Sequence, residues 1–145
     1  MRRRVVVTGL GVISALGLDV NTFWGNIKQG KSGVSLIESF DTSEFETKIG
    51  AEVKDFVPTD YLEKKEARHM DRFTQFAVVA AQQALADSAL RITEENAHQI
   101  GVIIGSGIGG LQTLEEQARR LWEKGPKRVS PFFIPMIIPD IASGQ

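Results

Sequence analysis

Cysteine is absent from this sequence of 145 residues. Its absence excludes a disulfide framework, thiolate metal sites and a cysteine nucleophile within these residues. Histidine is nearly absent too, since only His69 and His98 occur, and neither has the neighbours that a metal site requires. We therefore expect this chain to hold no metal and no cofactor.

A strong charge of either sign and a long apolar run are also missing. The net charge is −1 at pH 7, so bulk charge indicates neither nucleic acid nor a membrane as a partner. No stretch reaches the roughly 18 apolar residues of a membrane span. The basic start Met1–Arg4 and the apolar run after it resemble a signal peptide, but Thr8, Gly9 and Gly11 interrupt that run. We expect a cytoplasmic protein.

What the sequence does contain is the alternation of strand and helix patterns typical of an α/β fold. Arg4–Val7 and Ile100–Ile104 predict strands, rich in β-branched residues and buried on both faces. Helical spacing of apolar and small residues predicts helices over Met70–Ser88 and from Leu111 to Gly125. Two strands are too few for a covered parallel sheet, so we expect the fold to be incomplete.

Weaker signals between the first strand and the long helix predict two short elements. Asn21 is a candidate N-cap of a short helix that Gly30 would stop. Lys48–Val53 has the composition of an edge strand. The rest of this connection is irregular, which is typical of a functional segment or one that packs on another subunit.

The glycine loop, residues 105–110, lies between the second predicted strand and the following helix. Glycine lets a ligand approach the backbone closely, and ligands of open α/β sheets bind at the carboxyl ends of strands. Ile108 is the only large apolar side chain in the loop, which favours the wall of a site. Two alternatives stay open: a turn without a ligand, and the dinucleotide loop of a nicotinamide-dependent oxidoreductase. The latter lacks the acidic residue expected about 20 residues later.

Basic side chains cluster before the long helix and again after the second one. The clusters are Lys64, Lys65, Arg68, His69 and Arg72, and then Lys127 and Arg128. An ordinary charged surface would explain both clusters. The functional alternative is a docking patch for a small acidic partner, where charge steers the encounter.

The proline-rich segment, residues 127–145, differs in composition from the rest of the chain. Pro131, Pro135 and Pro139 predict that it does not form one continuous helix. Its dense, unpatterned apolar side chains favour an interface or the lining of a pocket.

Several separated motifs, in order along the whole chain, carry a resemblance to a known family. They are RRVVVTGLG, FDTSEFETKIGAEVKDF, KKEARHMDRFTQFAVVAAQQALADS, ITEEN, IGVIIGSGIGG and KRVSPFFIP. The chain resembles the N-terminal part of a β-ketoacyl-[acyl-carrier-protein] synthase of the type II condensing-enzyme group. The resemblance implies an α/β fold, the N-terminal part of a thiolase-fold layered α/β/α/β/α sandwich. Residues 1–145 would then be an incomplete first half of the ketosynthase domain, ending before the nucleophile.

The resemblance also implies an activity and its partners. In that family a homodimeric enzyme of fatty-acid chain elongation performs a decarboxylating Claisen condensation. An acyl chain passes from the phosphopantetheine of the acyl carrier protein to a cysteine, and malonyl-carrier protein loses CO₂ to give the carbanion that attacks the thioester. The family's cysteine and two histidines would lie beyond Gln145, so no catalytic residue is expected here. A polyketide-type ketosynthase and a non-catalytic subunit like a chain-length factor are the alternatives.

Two groups of residues match the family's acyl pocket. Gly107 and Ile108 match the glycine–isoleucine pair at the mouth of that pocket, where the isoleucine moves to admit longer chains. Phe133, Ile134 and Ile138 match the segment that crosses the dimer interface and lines the partner's acyl tunnel.

Four basic residues match the family's surface for docking the acidic carrier protein. They are Lys65, Arg68, Lys127 and Arg128. His69 stands where relatives often have another basic residue, which would weaken that contact near neutral pH.

Overall fold

A computed structural model describes residues 3–145, so Met1 and Arg2, which begin the basic N-terminal stretch, lie outside the described residues. The chain divides into two compact units. The first consists of residues up to 57 together with 80–90, and the second of residues 58–79 together with 91–145.

The first unit begins its regular structure with helix α1, Val20–Lys28. The carboxylate of Asp19 accepts hydrogen bonds from Thr22 Oγ1 at 2.6 Å and Thr22 N at 2.9 Å. These two bonds lower the pKa of Asp19. The prediction that Asn21 caps this helix is wrong, because Asp19 has the extended backbone of an N-cap and Asn21 lies inside the first turn. Gly30 follows the helix with φ +67°, as expected of a residue that stops it.

A short antiparallel sheet follows α1 in the same unit. Its strands are β1, Ser35–Leu36, and β2, Ile49–Gly50, with Ser35 opposite Gly50. The edge strand predicted over residues 48–53 is therefore present in a shorter form.

The long central helix α3, Arg72–Ser88, gives its second half to the first unit. There it packs on the backbone of residues 9–12, where Val12 N donates to Gln83 Oε1 at 3.0 Å. A Cβ on Gly11 would overlap the carbonyl oxygen of Ala80. The close packing that the alanines of this helix predicted is confirmed.

The second unit is helical. Its α-helices are α2, Lys64–Ala67, α4, Leu111–Lys124, α5, Phe133–Ile137, and α6, Ile141–Gly144. Single 3-10 turns occupy Pro58–Asp60, Ala97–Gln99 and Pro126–Arg128. The buried apolar side chains of this unit are Leu62, Ala67, Met70, Val79 and Ala142. The helix predicted from Leu111 is confirmed, and the last segment does not form one continuous helix, as predicted. In the described part of the chain, no helix has the length and apolar content needed to cross a membrane.

The two predicted buried strands are not formed. Residues 4–7 and 100–104 belong to no strand, and their side chains are mostly exposed, with Val5 at 92% and Ile103 at 97%. A strand needs a neighbour that takes its backbone hydrogen bonds, and residues 3–145 supply none at either place. The prediction is therefore wrong for these two segments, although the apolar pattern that motivated it is there.

Candidate functional site

The glycine loop ends directly against the proline-rich segment. Gly110 N donates a hydrogen bond to Ile137 O in α5 at 3.1 Å. Gly109 N donates to Ser106 Oγ at 3.1 Å. Gly109 has φ +80°, a left-handed conformation that favours glycine. The loop expected to form the wall of a site thus lies on α5.

A buried carboxylate, Asp71, fixes the helix that follows the loop. Its Oδ2 accepts hydrogen bonds from Thr113 N at 3.1 Å and from Thr113 Oγ1 at 2.6 Å. Its Oδ1 accepts from Phe73 N at 3.3 Å. The first N–H groups of a helix have no partner inside that helix. Because Phe73 and Thr113 lie in the first turns of α3 and α4, one side chain caps both helices and positions the loop before α4.

The proline-rich segment is held at two further places in the same unit. Buried Gln117 of α4 accepts a hydrogen bond from Ser130 N at 2.8 Å. Ser143 Oγ accepts from Ile104 N at 3.1 Å. Together with the bond to the glycine loop, these contacts fix the backbone path of the segment.

The predicted acyl-pocket residues lie in this arrangement with their side chains largely uncovered. Ile108 is 69% exposed, Ile134 is 58% exposed and Ile138 is 36% exposed, whereas Phe133 is half-buried. Space is open where a Cβ on Gly107 would lie. The structure brings the glycine loop and the segment together, and the acyl-pocket role of these five residues stays a prediction.

The predicted docking residues are exposed and belong to one unit. They are Lys65 and Arg68 at α2, and Lys127 and Arg128 on the 3-10 turn after α4. The ring of His69 stacks on the ring of Phe132, with 3.8 Å between centroids and 18° between planes. This stack links the end of α2 to the segment that carries the second cluster. The docking role itself stays a prediction.

A groove beside α4 adds two basic residues that the sequence clusters omit. Arg120, Lys124 and Arg128 line it. The spacing of four residues on a helix would have placed Arg120 and Lys124 on one face, so a sequence signal for them exists. By contrast, Asp71 and Thr113 are separated by 42 residues, and no local pattern indicates that they meet.

Chemically reactive groups are scarce around these features. Within residues 3–145, no three histidine, aspartate or glutamate side chains are grouped so that they could hold a metal ion. These features supply two kinds of surface: an exposed apolar one at Ile108 and Ile134, and a positively charged one beside α4.

Solved structures of ketosynthases share the backbone path of this chain. The ishigamide ketosynthase/chain length factor matches 98% of this chain and 36% of its own, with a TM-score of 0.80 and 30% sequence identity. A type II polyketide ketosynthase bound to a hexaketide, solved in complex with its acyl-carrier protein, matches 99% of this chain and 38% of its own, at TM-score 0.79 and 26% identity. The fold class expected from the resemblance, the N-terminal part of a ketosynthase of the thiolase fold, is confirmed.

The family model of the β-ketoacyl synthase N-terminal domain matches residues 2–145, and the chain belongs to this family. It is 51% identical over 143 residues to the 3-oxoacyl-[acyl-carrier-protein] synthase 2 of Staphylococcus aureus (strain COL), which covers 99% of this chain and 34% of that protein. The protein of the same name from Synechocystis is also 51% identical over 143 residues. The chain therefore spans about a third of the length of these relatives.

Proposed function

We propose that the protein carrying this chain is a β-ketoacyl-[acyl-carrier-protein] synthase that elongates fatty acyl chains by decarboxylating Claisen condensation. The observation that carries the proposal is the 51% identity over 143 residues to a 3-oxoacyl-[acyl-carrier-protein] synthase 2.

In the proposed reaction, the acyl group leaves the carrier's phosphopantetheine sulfur and forms a thioester with an enzyme cysteine. Malonyl-carrier protein then loses CO₂, and the resulting carbanion attacks that thioester, which releases the cysteine sulfur and leaves a 3-oxoacyl chain two carbons longer. A covalent intermediate of this kind divides one difficult step into two easier ones. The cysteine cannot come from this chain, which contains none.

The residues of this chain would line the acyl pocket and bind the carrier protein, and they would not take part in the bond-forming steps. Ile108 and Gly107 would form the gate of the acyl pocket, on a loop whose position Asp71 and Ile137 fix through hydrogen bonds. Covering an apolar side chain as exposed as Ile108 with an acyl chain removes apolar surface from water, which is favourable.

A homodimer would complete the pocket from the other side. Phe133, Ile134 and Ile138 are the proposed contacts with the partner subunit and its acyl tunnel. Ile134 is more than half exposed although it lies in a fixed helix, and an apolar surface of this kind is typical of an interface.

The carrier protein would dock on the exposed basic residues Lys65, Arg68, Lys127 and Arg128. Carrier domains of this class are acidic, and opposite charges speed the encounter of two proteins. The side chains point to solvent in the described unit, which is what such a partner requires.

The test is a condensation assay on the native protein with acyl-carrier protein and malonyl-carrier protein. We expect release of CO₂ and a 3-oxoacyl product two carbons longer, both detected by mass spectrometry. Lys65→Glu with Arg68→Glu should raise the KM for the carrier at least tenfold, whereas Lys28→Glu, on α1 of the other unit, should leave it unchanged. Absence of both CO₂ and product with the wild-type protein would refute the proposal.

A polyketide ketosynthase or its non-catalytic partner is the second candidate. It is favoured by the structural match to a ketosynthase/chain length factor at TM-score 0.80. The same assay separates the candidates: a polyketide enzyme extends without reduction of the 3-oxo group and releases chains with several oxo groups. A chain-length-factor-like subunit condenses nothing by itself and lacks the nucleophilic cysteine that forms the acyl thioester.

A further inference from the structure

The groove beside the C-terminal half of α4 is lined by cations alone. Its lining residues are Arg120, Lys124 and Arg128, and its open volume is about 660 Å³. Arg120 and Lys124 lie one helical turn apart and therefore on the same face of α4. A space of this kind suits an anionic group and disfavours an apolar one.

Contacts at the end of α4 hold Arg128 close to the helix. Gly125, at φ +77°, ends α4, and its N–H donates to Leu121 O at 3.0 Å. Buried Gln117 then accepts from Ser130 N at 2.8 Å and holds the following chain beside the helix. Arg128 lies between these two anchor points, so backbone contacts bring it to the face of Arg120.

The three cations have acidic neighbours in sequence, but no salt bridge joins them within the described residues. Glu116 lies four residues before Arg120, but its Oε1 accepts from Gln112 Nε2 at 3.2 Å. None of the three cations forms an ion pair within the described residues. Glu123 adjoins Lys124 in sequence and lies three residues after Arg120, but it forms no ion pair with either of them. Like charges that line one groove repel, and an anionic partner would relieve this repulsion.

We propose that this groove, Arg120–Lys124–Arg128, receives an acidic surface of the acyl carrier protein and extends the docking surface along α4. The inference rests on the proposed function, because it takes the carrier as the partner. What favours the carrier over a free anion is continuity: Arg128 belongs both to the groove and to the predicted docking cluster. A protein bound at Lys127 and Arg128 would therefore also cover the groove.

The experiment compares Arg120→Ala and Lys124→Ala with Arg119→Ala in the native protein. Arg119 is the matched control, since it lies on the same helix, is exposed and carries the same charge, but does not line the groove. We expect each groove variant to raise the KM for acyl-carrier protein roughly fivefold, with the effect confined to KM, and to reduce the dependence of this KM on salt. The KM for the same acyl group on free pantetheine should not change.

Three results would overturn the inference. Arg119→Ala could raise the KM as much as Arg120→Ala, which would show an effect of net charge. The groove variants could leave the KM for the carrier unchanged. They could also weaken binding of inorganic phosphate, measured by calorimetry, without affecting the carrier, which would assign the groove to a free anion. If the wild-type protein condenses normally in these experiments, the proposed function stands even when the groove proposal fails. Failure of the groove proposal can therefore be told apart from failure of the proposed function.

Discussion

A single carboxylate, Asp71, serves two helices at once. Its two oxygens accept three hydrogen bonds, from Phe73 N and from the N and Oγ1 of Thr113. An asparagine has only one acceptor oxygen, so it could accept from Thr113 or from Phe73, but not from both. Hydrogen bonding to two helices therefore favours an acid at position 71.

Replacing Asp71 by alanine should lower the free energy of unfolding by about 3 kcal/mol, because the buried donors of Thr113 lose their acceptor. Thr113→Val removes only the hydroxyl and should cost about 1 kcal/mol. Denaturant titration of the native protein measures both, and the double variant should lose less than the sum of the two because they share one interaction. A loss below about 0.5 kcal/mol for Asp71→Ala would show that the cap is unimportant.

A second prediction at this scale concerns Ile108. Ile108→Phe should block the elongation of long acyl primers and spare short ones, because the larger ring would fill the space that a long chain needs. Turnover of a series of acyl-carrier primers of increasing length measures this. Gly25→Ala is the control, since a Cβ there meets open space on α1, outside the glycine loop. An equal loss for every primer length would contradict the gate role.

At the scale of elements, the sequence predicts helices much better than strands. The helices α3 and α4 follow from spacing that lies within each helix, so their bounds could be predicted within about two residues. The runs 4–7 and 100–104 have the composition of strands, but a strand depends on neighbours elsewhere in the chain. For the same reason the contact between the glycine loop and α5 could not be predicted, although both segments were candidates for one site.

The N-cap of α1 shows that two nearby residues can both have the composition of a helix cap. Two residues could cap α1, and Asp19 does so in place of the predicted Asn21. The lowered pKa of Asp19, below its ordinary value of 3.8, results from the hydrogen bonds that it accepts from Thr22. A carboxyl group with a lowered pKa stabilises the fold in its ionised form, and this stabilisation is lost as the pH falls through the pKa of the folded state.

Asp19→Ala should therefore lower the free energy of unfolding by about 1 kcal/mol at pH 7. The difference from wild type should shrink in acid below about pH 4, where the wild-type carboxyl also loses its charge. Asn21→Ala is the matched control and should cost little at either pH. Chemical denaturation at pH 7 and at acid pH measures all three proteins, and a larger loss for Asn21→Ala would restore Asn21 as the cap.

At the scale of the whole molecule, the described chain leaves its most apolar segments uncovered. Val5 and Ile103 are almost fully exposed, yet their surroundings have the composition of strands buried on both faces. The relatives are about three times as long as the part that this chain matches. We therefore expect residues 4–7 and residues 100–104 each to pair with further strands and become buried in a protein of that length.

Ile103→Lys tests this expectation, because it should act in opposite directions in two contexts. In the 145-residue chain by itself, the lysine removes apolar surface from water, so it should reduce binding of a hydrophobic dye and slow aggregation. In the native protein, the same lysine would be buried in a sheet and should lower the Tm by several degrees, since an unpaired buried charge is costly. Ile103→Val keeps an apolar β-branched side chain and should change neither property much. An unchanged Tm for Ile103→Lys in the native protein would mean that residue 103 stays exposed there, and the segment would then not be a strand of a covered sheet.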